Sequence, residues 1–150
     1  MQLLTIKMKH PLTIIVLISS ILLSNLTHAT IISNGDGTVT DVDTGLIWQE
    51  TDDNVRRTFT SAFFYCQNLN LAGNSSWRLP NIKQLVSIVD YTRENPAIDE
   101  TIFPSTKNDA YWSSTSSASN PASVVIGVGF RTGGFFSFPI EADMFVRCVR

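Results

Sequence analysis

Gly73-Asn74-Ser75-Ser76-Trp77-Arg78-Leu79-Pro80-Asn81-Ile82-Lys83-Gln84-Leu85-Val86-Ser87-Ile88-Val89-Asp90 is the stretch whose reading decides the fold. A polar turn delivers the chain to the apolar Trp77. Pro80 then biases Leu79 towards extended backbone, so Trp77–Pro80 reads as a strand-like approach rather than continuing helix. Asn81 followed three residues later by Gln84 has the spacing of a capping box, which starts a short helix here. Ile82, Leu85, Val86 and Val89 line the inner face of that helix. Arg78 alternates to the side away from Trp77 and Leu79, where it can meet a carboxylate or a carbonyl. Trp48, Trp77, Arg78 and Pro80 are assigned structural roles.

Upstream of this corner, Thr58–Leu69 reads as an earlier helix. Phe59, Ala62, Phe63, Cys66 and Leu69 fall at i, i+3, i+4, i+7 and i+10, one apolar stripe at helical spacing. Thr58 or Thr60 is the candidate cap, and Gly73 lies just past its end. Before it, Glu50–Arg57 is polar and reads as a surface loop, with Arg56-Arg57 on a solvated edge. Ile31–Gln49 reads as a hairpin: Thr38-Val39-Thr40 and Leu46-Ile47-Trp48 are β-prone, with Asp43-Thr44-Gly45 as turn chemistry between them. Asn34-Gly35-Asp36-Gly37 has the look of a calcium loop, but its twelfth position is Gly45 where an EF-hand needs a glutamate. A tight turn entering a strand is the better reading.

Downstream, Tyr91–Ala110 is a long irregular segment anchored by Ile98 and Phe103. Asp99, Glu100, Asn108 and Asp109 are its oxygen-ligand candidates, and ordinary loop solvation explains them equally well. Tyr111-Trp112-Ser113-Ser114-Thr115 begins a β half, interrupted by an exposed loop over Ser116–Pro121. Val124, Ile126, Val128 and Phe130 alternate with Val125, Gly127 and Gly129, the period of a strand. Arg131–Gly134 turns, and Phe135–Phe138 returns. The four phenylalanines between Phe130 and Phe138 are core or a partner-facing edge. Met144–Arg150 reads as a final strand with Phe145, Arg147 and Val149 on one face and Val146 and Cys148 on the other, inward face.

The first 29 residues have the parts of a secretory signal: Lys7 and Lys9, an apolar run from Leu12 to Leu23, and small residues at Thr27 and Ala29. As a helix the run spans roughly 18 Å, short of the ~30 Å hydrocarbon core, so it reads as a cleaved signal and not a membrane anchor. The expected organisation is a signal over 1–29 and a single domain over 30–150. Export places the domain in the periplasm, outside the cell or on its surface, with no membrane insertion after cleavage. Both histidines, His10 and His28, leave with the signal, and nine basic groups remain against thirteen acidic, a net charge of −4. That balance argues against nucleic acid as a partner.

Cys66 and Cys148 remain. An even pair in an oxidising compartment is most simply a disulfide. The alternative, a redox or metal pair, has neither sequence proximity nor a histidine to help it. A bridge between them closes an 82-residue loop and ties the earlier helix to the last strand.

Five ordered motifs carry a family resemblance: Gly37–Asp41 with Thr44–Gln49; Tyr65-Cys66 with Leu69; Trp77–Pro80 with Leu85; Tyr111–Thr115; and Val146–Arg150. Together they resemble the Lcl C-terminal domain family, named for the C-terminal domain of a bacterial collagen-like adhesin. That resemblance implies an α+β fold like that of C-type lectins and formylglycine-generating enzymes, with two short helices on twisted antiparallel sheets and a helix-to-last-strand disulfide. Copper-dependent relatives within this fold need a reactive cysteine pair, which the expected disulfide occupies, so no cofactor is expected. The adhesin binds sulfated glycosaminoglycans and trimerises through its collagen stalk; this chain departs from it on both counts, with no Gly-X-Y repeat and a net negative charge.

Function then reads as an exported, non-catalytic binding or adhesion module for a glycan or for an envelope or host surface component. Trp112 is the candidate for stacking on a sugar face, with Asn108, Asp109, Ser113 and Arg131 to orient hydroxyls. Asp99 and Glu100 are weak metal candidates. The alternatives are a structural subunit of an envelope or appendage assembly, and an enzyme related to the formylglycine-generating fold. Loss of histidine removes the usual general base, and a disulfide removes the thiol nucleophile. Carboxylate or Ser–Lys chemistry would remain, with Lys83 and Lys107 as the lysines beyond the signal.

Overall fold

The computed structural model describes residues 30–150; the expected signal over 1–29 lies outside the described residues. Three strands open it: β1 (Ile31–Ser33), β2 (Thr38–Asp41) and β3 (Ile47–Gln49), an antiparallel sheet in that order. The Asn34–Gly37 turn joins β1 to β2, and the turn at Asp43-Thr44-Gly45 closes the expected hairpin with Val39 opposite Trp48. Two helices follow, α1 (Phe59–Asn68) and α2 (Ile82–Ser87). A second antiparallel sheet, β4 (Ala110–Ser116), β5 (Val124–Gly129) and β6 (Gly134–Pro139), completes the regular elements in the order β4-β5-β6.

The last residues hold these parts together, but not as a strand. Met144–Arg150 makes only isolated bridges: Met144 with Arg57, Phe145 with Tyr111, and Val149 with both Trp48 and Arg78. The segment passes from Arg57 to Tyr111 and then to Ile47–Gln49 and Arg78 within seven residues, so no long ladder accumulates. Near its end it is bonded on both edges, with Ile47 N–H donating to Arg150 O at 3.0 Å and Val149 N–H donating to Arg78 O at 2.9 Å. Its side chains alternate between two cores. Phe145 and Val149 join a cluster with Trp48, Leu85, Phe103 and Tyr111, whereas Met144, Val146 and Cys148 join one with Ala62, Trp77, Leu79 and Trp112. The expected parity holds, and both faces are buried.

Cys66 and Cys148 form the disulfide, with Cα atoms 5.5 Å apart, so α1 is tied to the C-terminal segment. The rest of α1 is more loosely attached than its stripe implies. Phe63 is 39% exposed and meets Phe64 ring to ring on the outside. The helix meets the second core through Phe59, Ala62, Tyr65 and Cys66, of which Ala62 and Cys66 are buried. Thr58 occupies the N-cap without a side-chain bond to the helix backbone; its hydroxyl meets that of Ser61 instead. Gly73 belongs to a separate turn, at φ +71°, where Leu71 and Asn74 exchange backbone hydrogen bonds.

The α2 corner forms as its sequence dictates. Asn81 Oδ1 accepts from Gln84 N–H at 2.9 Å, and Gln84 Oε1 accepts from Asn81 N–H at 3.0 Å. A third orphan donor, Ile82 N–H, is taken by Thr115 Oγ1 at 2.9 Å. That contact exists because β4 bulges: Trp112 faces Gly127 and Ser116 faces Val125, four steps along β4 against two along β5. The extra residues lean onto the corner, where Ser114 N–H donates to Pro80 O at 2.8 Å. Asn81→Ala removes half of the box, and the expected loss is about 1 kcal/mol, read as a lower urea midpoint at unchanged slope. An unchanged midpoint would mean that the Thr115 bond alone holds the helix start.

Candidate functional site

The sequence-derived candidates divide between interior and surface. Trp112 is fully buried: its ring packs against Phe59 and Phe138 at 5.6 and 6.3 Å, and its Nε1–H donates to Arg57 O at 2.7 Å. Ser113 is also fully buried, donating to Ile126 O at 2.5 Å and accepting from Thr115 N–H. Neither can meet a ligand at the surface, which corrects their assignment to a sugar-binding set. The physical reason is that β4 is covered on both sides, by the Tyr111 core on one and by α1 on the other.

Asn108 and Arg131 are exposed, and Asp109 is partly exposed in an ion pair with Arg56. Arg56 also lies over the Phe145 ring at 5.0 Å, and Arg57 is paired to Asp53 and lies over Tyr65 at 4.1 Å. The Arg56-Arg57 pair thus pins the Glu50–Arg57 segment to its neighbours and is not merely solvated. Asp99 accepts from the Thr101 hydroxyl and N–H and faces Arg93 at 3.4 Å. The Thr101 hydrogen bonds hold its carboxyl below the ordinary aspartate value. Glu100 is exposed beside it. Among the described residues no three His, Cys, Asp or Glu side chains come together as a metal-holding group. Trp48 and Trp77 are buried, Trp77 donating to Asn74 O at 3.0 Å; Arg78 reaches Gln84 Oε1 at 2.9 Å, and Pro80 is buried at the corner.

Sequence reasoning missed the polar knot at the centre. Arg147 is fully buried and donates to Gln49 O, Glu50 O, Asp52 Oδ2 and Thr106 Oγ1 at 2.7, 2.5, 3.2 and 2.8 Å. Its guanidinium also sits 4.8 Å from the Phe103 ring centre. Tyr111 O–H donates to Asp52 Oδ2 at 2.7 Å and accepts from Lys107 N–H. Burial pushes the Tyr111 phenol far above its ordinary value and pulls Arg147 below the ordinary guanidinium value. Glu50–Arg57 is therefore not a plain surface loop, because Asp52 anchors it inside. This knot fastens the loop at 106, β4 and the end of the chain to the first sheet.

The concave surface lies elsewhere, where α2 faces the β5–β6 hairpin. Ile82, Lys83, Val86, Ile126 and Phe135 line an open apolar groove of about 280 Å³. The register explains it: Val128 pairs with Phe135 and Ile126 with Ser137, which puts Ile126 and Phe135 on the face that α2 covers. α2 is too short to cover the whole face, and Phe135 stays 64% exposed. At one end of the groove the 131–134 turn bends against Val89. Gly133 sits there at φ +79°, and an added Cβ would collide with Val89. Tyr91, 66% exposed, reaches Gly133 O at 3.4 Å, and Asn95 N–H donates to Arg131 O. Tyr91 and Val89 therefore pack on the turn that leads directly into Phe135. A second cavity of about 280 Å³ lies between the start of β1, the end of α2, and Asp99, Ile102 and Phe103.

These features define a class: an α+β domain of two three-stranded antiparallel sheets and two short helices, disulfide-clamped, with an aromatic-rimmed groove on one face. The family model described as the Lcl C-terminal domain matches residues 37–150, and the chain belongs to that family. Comparison with curated proteins finds no match. Among the described residues no helix is long and apolar enough to cross a membrane.

Proposed function

We propose that this protein is an exported, non-catalytic recognition module that binds a glycan, or a protein of the envelope or host surface, through the groove between α2 and β6. The observation that carries the reading is Phe135, a large ring left mostly exposed in the groove beside Ile82, Val86 and Ile126. An open aromatic face beside the long polar side chain of Lys83 suits the C–H face and hydroxyl rim of a sugar ring. Residues 30–150 contain no histidine, and the two cysteine sulfurs are joined to each other, which leaves recognition as the better supported role than chemistry. The disulfide agrees with an oxidising compartment, hence with a signal over 1–29 and a single domain over 30–150. The two sheets and the disulfide-tethered helix agree with the C-type lectin-like reading of the fold.

Glycan arrays and surface-protein panels probed with the exported form test this. The expected result is a partner whose affinity falls about tenfold in Phe135→Ala, a loss of about 1.4 kcal/mol typical of one aromatic anchor. A partner that binds Phe135→Ala as tightly as wild type would move the site off the groove, and no partner in either panel would remove the reading. The assembly alternative draws on exposed Phe63 and Phe64 on α1. Light scattering distinguishes it, because a structural subunit self-associates without added ligand.

A further inference from the structure

Thr30 directly follows the Thr27-His28-Ala29 triplet at the expected end of the signal. Its two backbone groups are both fixed to the turn between β2 and β3. Thr30 N–H donates to Asp43 Oδ2 at 2.9 Å, and Thr30 O accepts from Val42 N–H at 2.9 Å. Asp43 is exposed, and no lysine or arginine of the described residues pairs with it. The strand that begins one residue later is short and at the edge of its sheet, three residues with Ile32 and Ser33 exposed. Its attachment at the N-terminal end therefore matters more than it would for a longer strand.

From this geometry we infer that Thr30 and Asp43 form a maturation clamp, in which signal removal converts the Thr30–Asp43 hydrogen bond into an ion pair that fastens β1. Hydrolysis of the Ala29–Thr30 amide adds one water: Ala29 leaves with a carboxylate, and Thr30 keeps the nitrogen as a primary amine. A free α-amine titrates at about 7.7–8.0 and is largely an ammonium at neutral pH. In the uncut chain the same nitrogen is an amide, which donates one uncharged hydrogen bond. After the cut it is a cation 2.9 Å from a carboxylate oxygen, a charge-assisted and stronger contact. The clamp also bears on the second cavity, because Thr30 and Ile31 form one of its walls against Ser87 and Ile88 of the α2 exit. Only the processed chain holds that wall by charge.

The inference rests on the export reading, and the experiment separates the two. Intact mass and N-terminal sequencing of the exported protein first give its start. Amine-specific labelling at pH 7 then compares the α-amine of wild type with that of Asp43→Asn and Asp43→Ser, with Lys83 and Lys107 as internal references. The expected result is a start at Thr30 and α-amine labelling two- to fivefold faster in both variants, the range of an exposed ion pair, at unchanged lysine rates. Wild type in 1 M salt, where the screening length is about 3 Å, labels faster as well. If the chain starts at Thr30 but labels equally in all three proteins, the clamp is wrong and the export reading stands. An uncut chain overturns both, and a start at any other residue overturns the clamp.

Discussion

Replacing both cysteines, Cys66→Ala with Cys148→Ala, is expected to cost about 4.5 kcal/mol, the loop-closure entropy released when an 82-residue loop is opened. For a domain of this size total stability is about 5–15 kcal/mol, so the variant sits close to unfolding at room temperature. The loss is not expected to be shared evenly. The Thr58 hydroxyl does not cap α1, Phe63 and Phe64 face out, and Ala62 and Cys66 are the two residues of the helix that are buried. Helices of ten residues are marginal without tertiary support. Amide exchange should therefore show α1 opening first, while α2, held by its capping box and by Thr115, keeps its protection longer. Urea unfolding of the double variant beside the oxidised protein measures the whole. A difference under about 1 kcal/mol would show that α1 is held by its packing, and that the bridge adds little to the fold.

The division between what the residues announce and what they conceal follows the range of the forces involved. Asn81 and Gln84 act on each other three residues apart, so the start of α2 is legible from the chain alone. The alternation of Phe145 and Val149 against Val146 and Cys148 is a property of extended backbone and survives even though Met144–Arg150 forms no regular strand. Arg147 shares the Phe145 face, yet a charge within such a pattern reads as solvent-directed unless its partner is known. That partner, Asp52, lies 95 residues away in a segment whose composition is that of a loop. Trp112 and Ser113 failed as site candidates for a related reason. A Trp-Ser-Ser run resembles a polar-aromatic pocket, and only the placement of α1 and the bulge over Pro80 shows both faces of β4 to be covered. The phenylalanines of the β half were open between core and edge, and the structure divides them: Phe130 is buried, whereas Phe135 and Phe136 stand out at 64% and 55% exposure. The length of α2, set by its caps, leaves Phe135 uncovered, whereas Phe136 pairs with Gly127 on the opposite face of the sheet.

Arg147→Met is expected to be as damaging as loss of the disulfide, by a different route. The substitution fills much of the volume but strands the Asp52 carboxylate, whose side chain is 1% exposed, with the Tyr111 O–H and Asn54 N–H as uncharged donors and no cation beside it. It also leaves Gln49 O, Glu50 O and Thr106 Oγ1 without the guanidinium. Breaking a buried pair from one side costs roughly 3–5 kcal/mol, most of it the uncompensated charge. Arg147→Lys should recover little of this, because one ammonium cannot reproduce a planar fork aimed at four acceptors. Asp52→Asn is the milder change, about 1–3 kcal/mol, since the asparagine oxygen still accepts from Tyr111 and the guanidinium keeps its two carbonyls and Thr106. The decisive measurement is the cycle. In the Asp52→Asn background Arg147→Met no longer strands a carboxylate, so its cost should fall by about 1–3 kcal/mol, the coupling expected of residues in one network. Strict additivity of the two substitutions would mean that the carboxylate and guanidinium are held independently by their other partners, and that the knot binds the two sheets through Arg147 and the carbonyls of Gln49 and Glu50 alone.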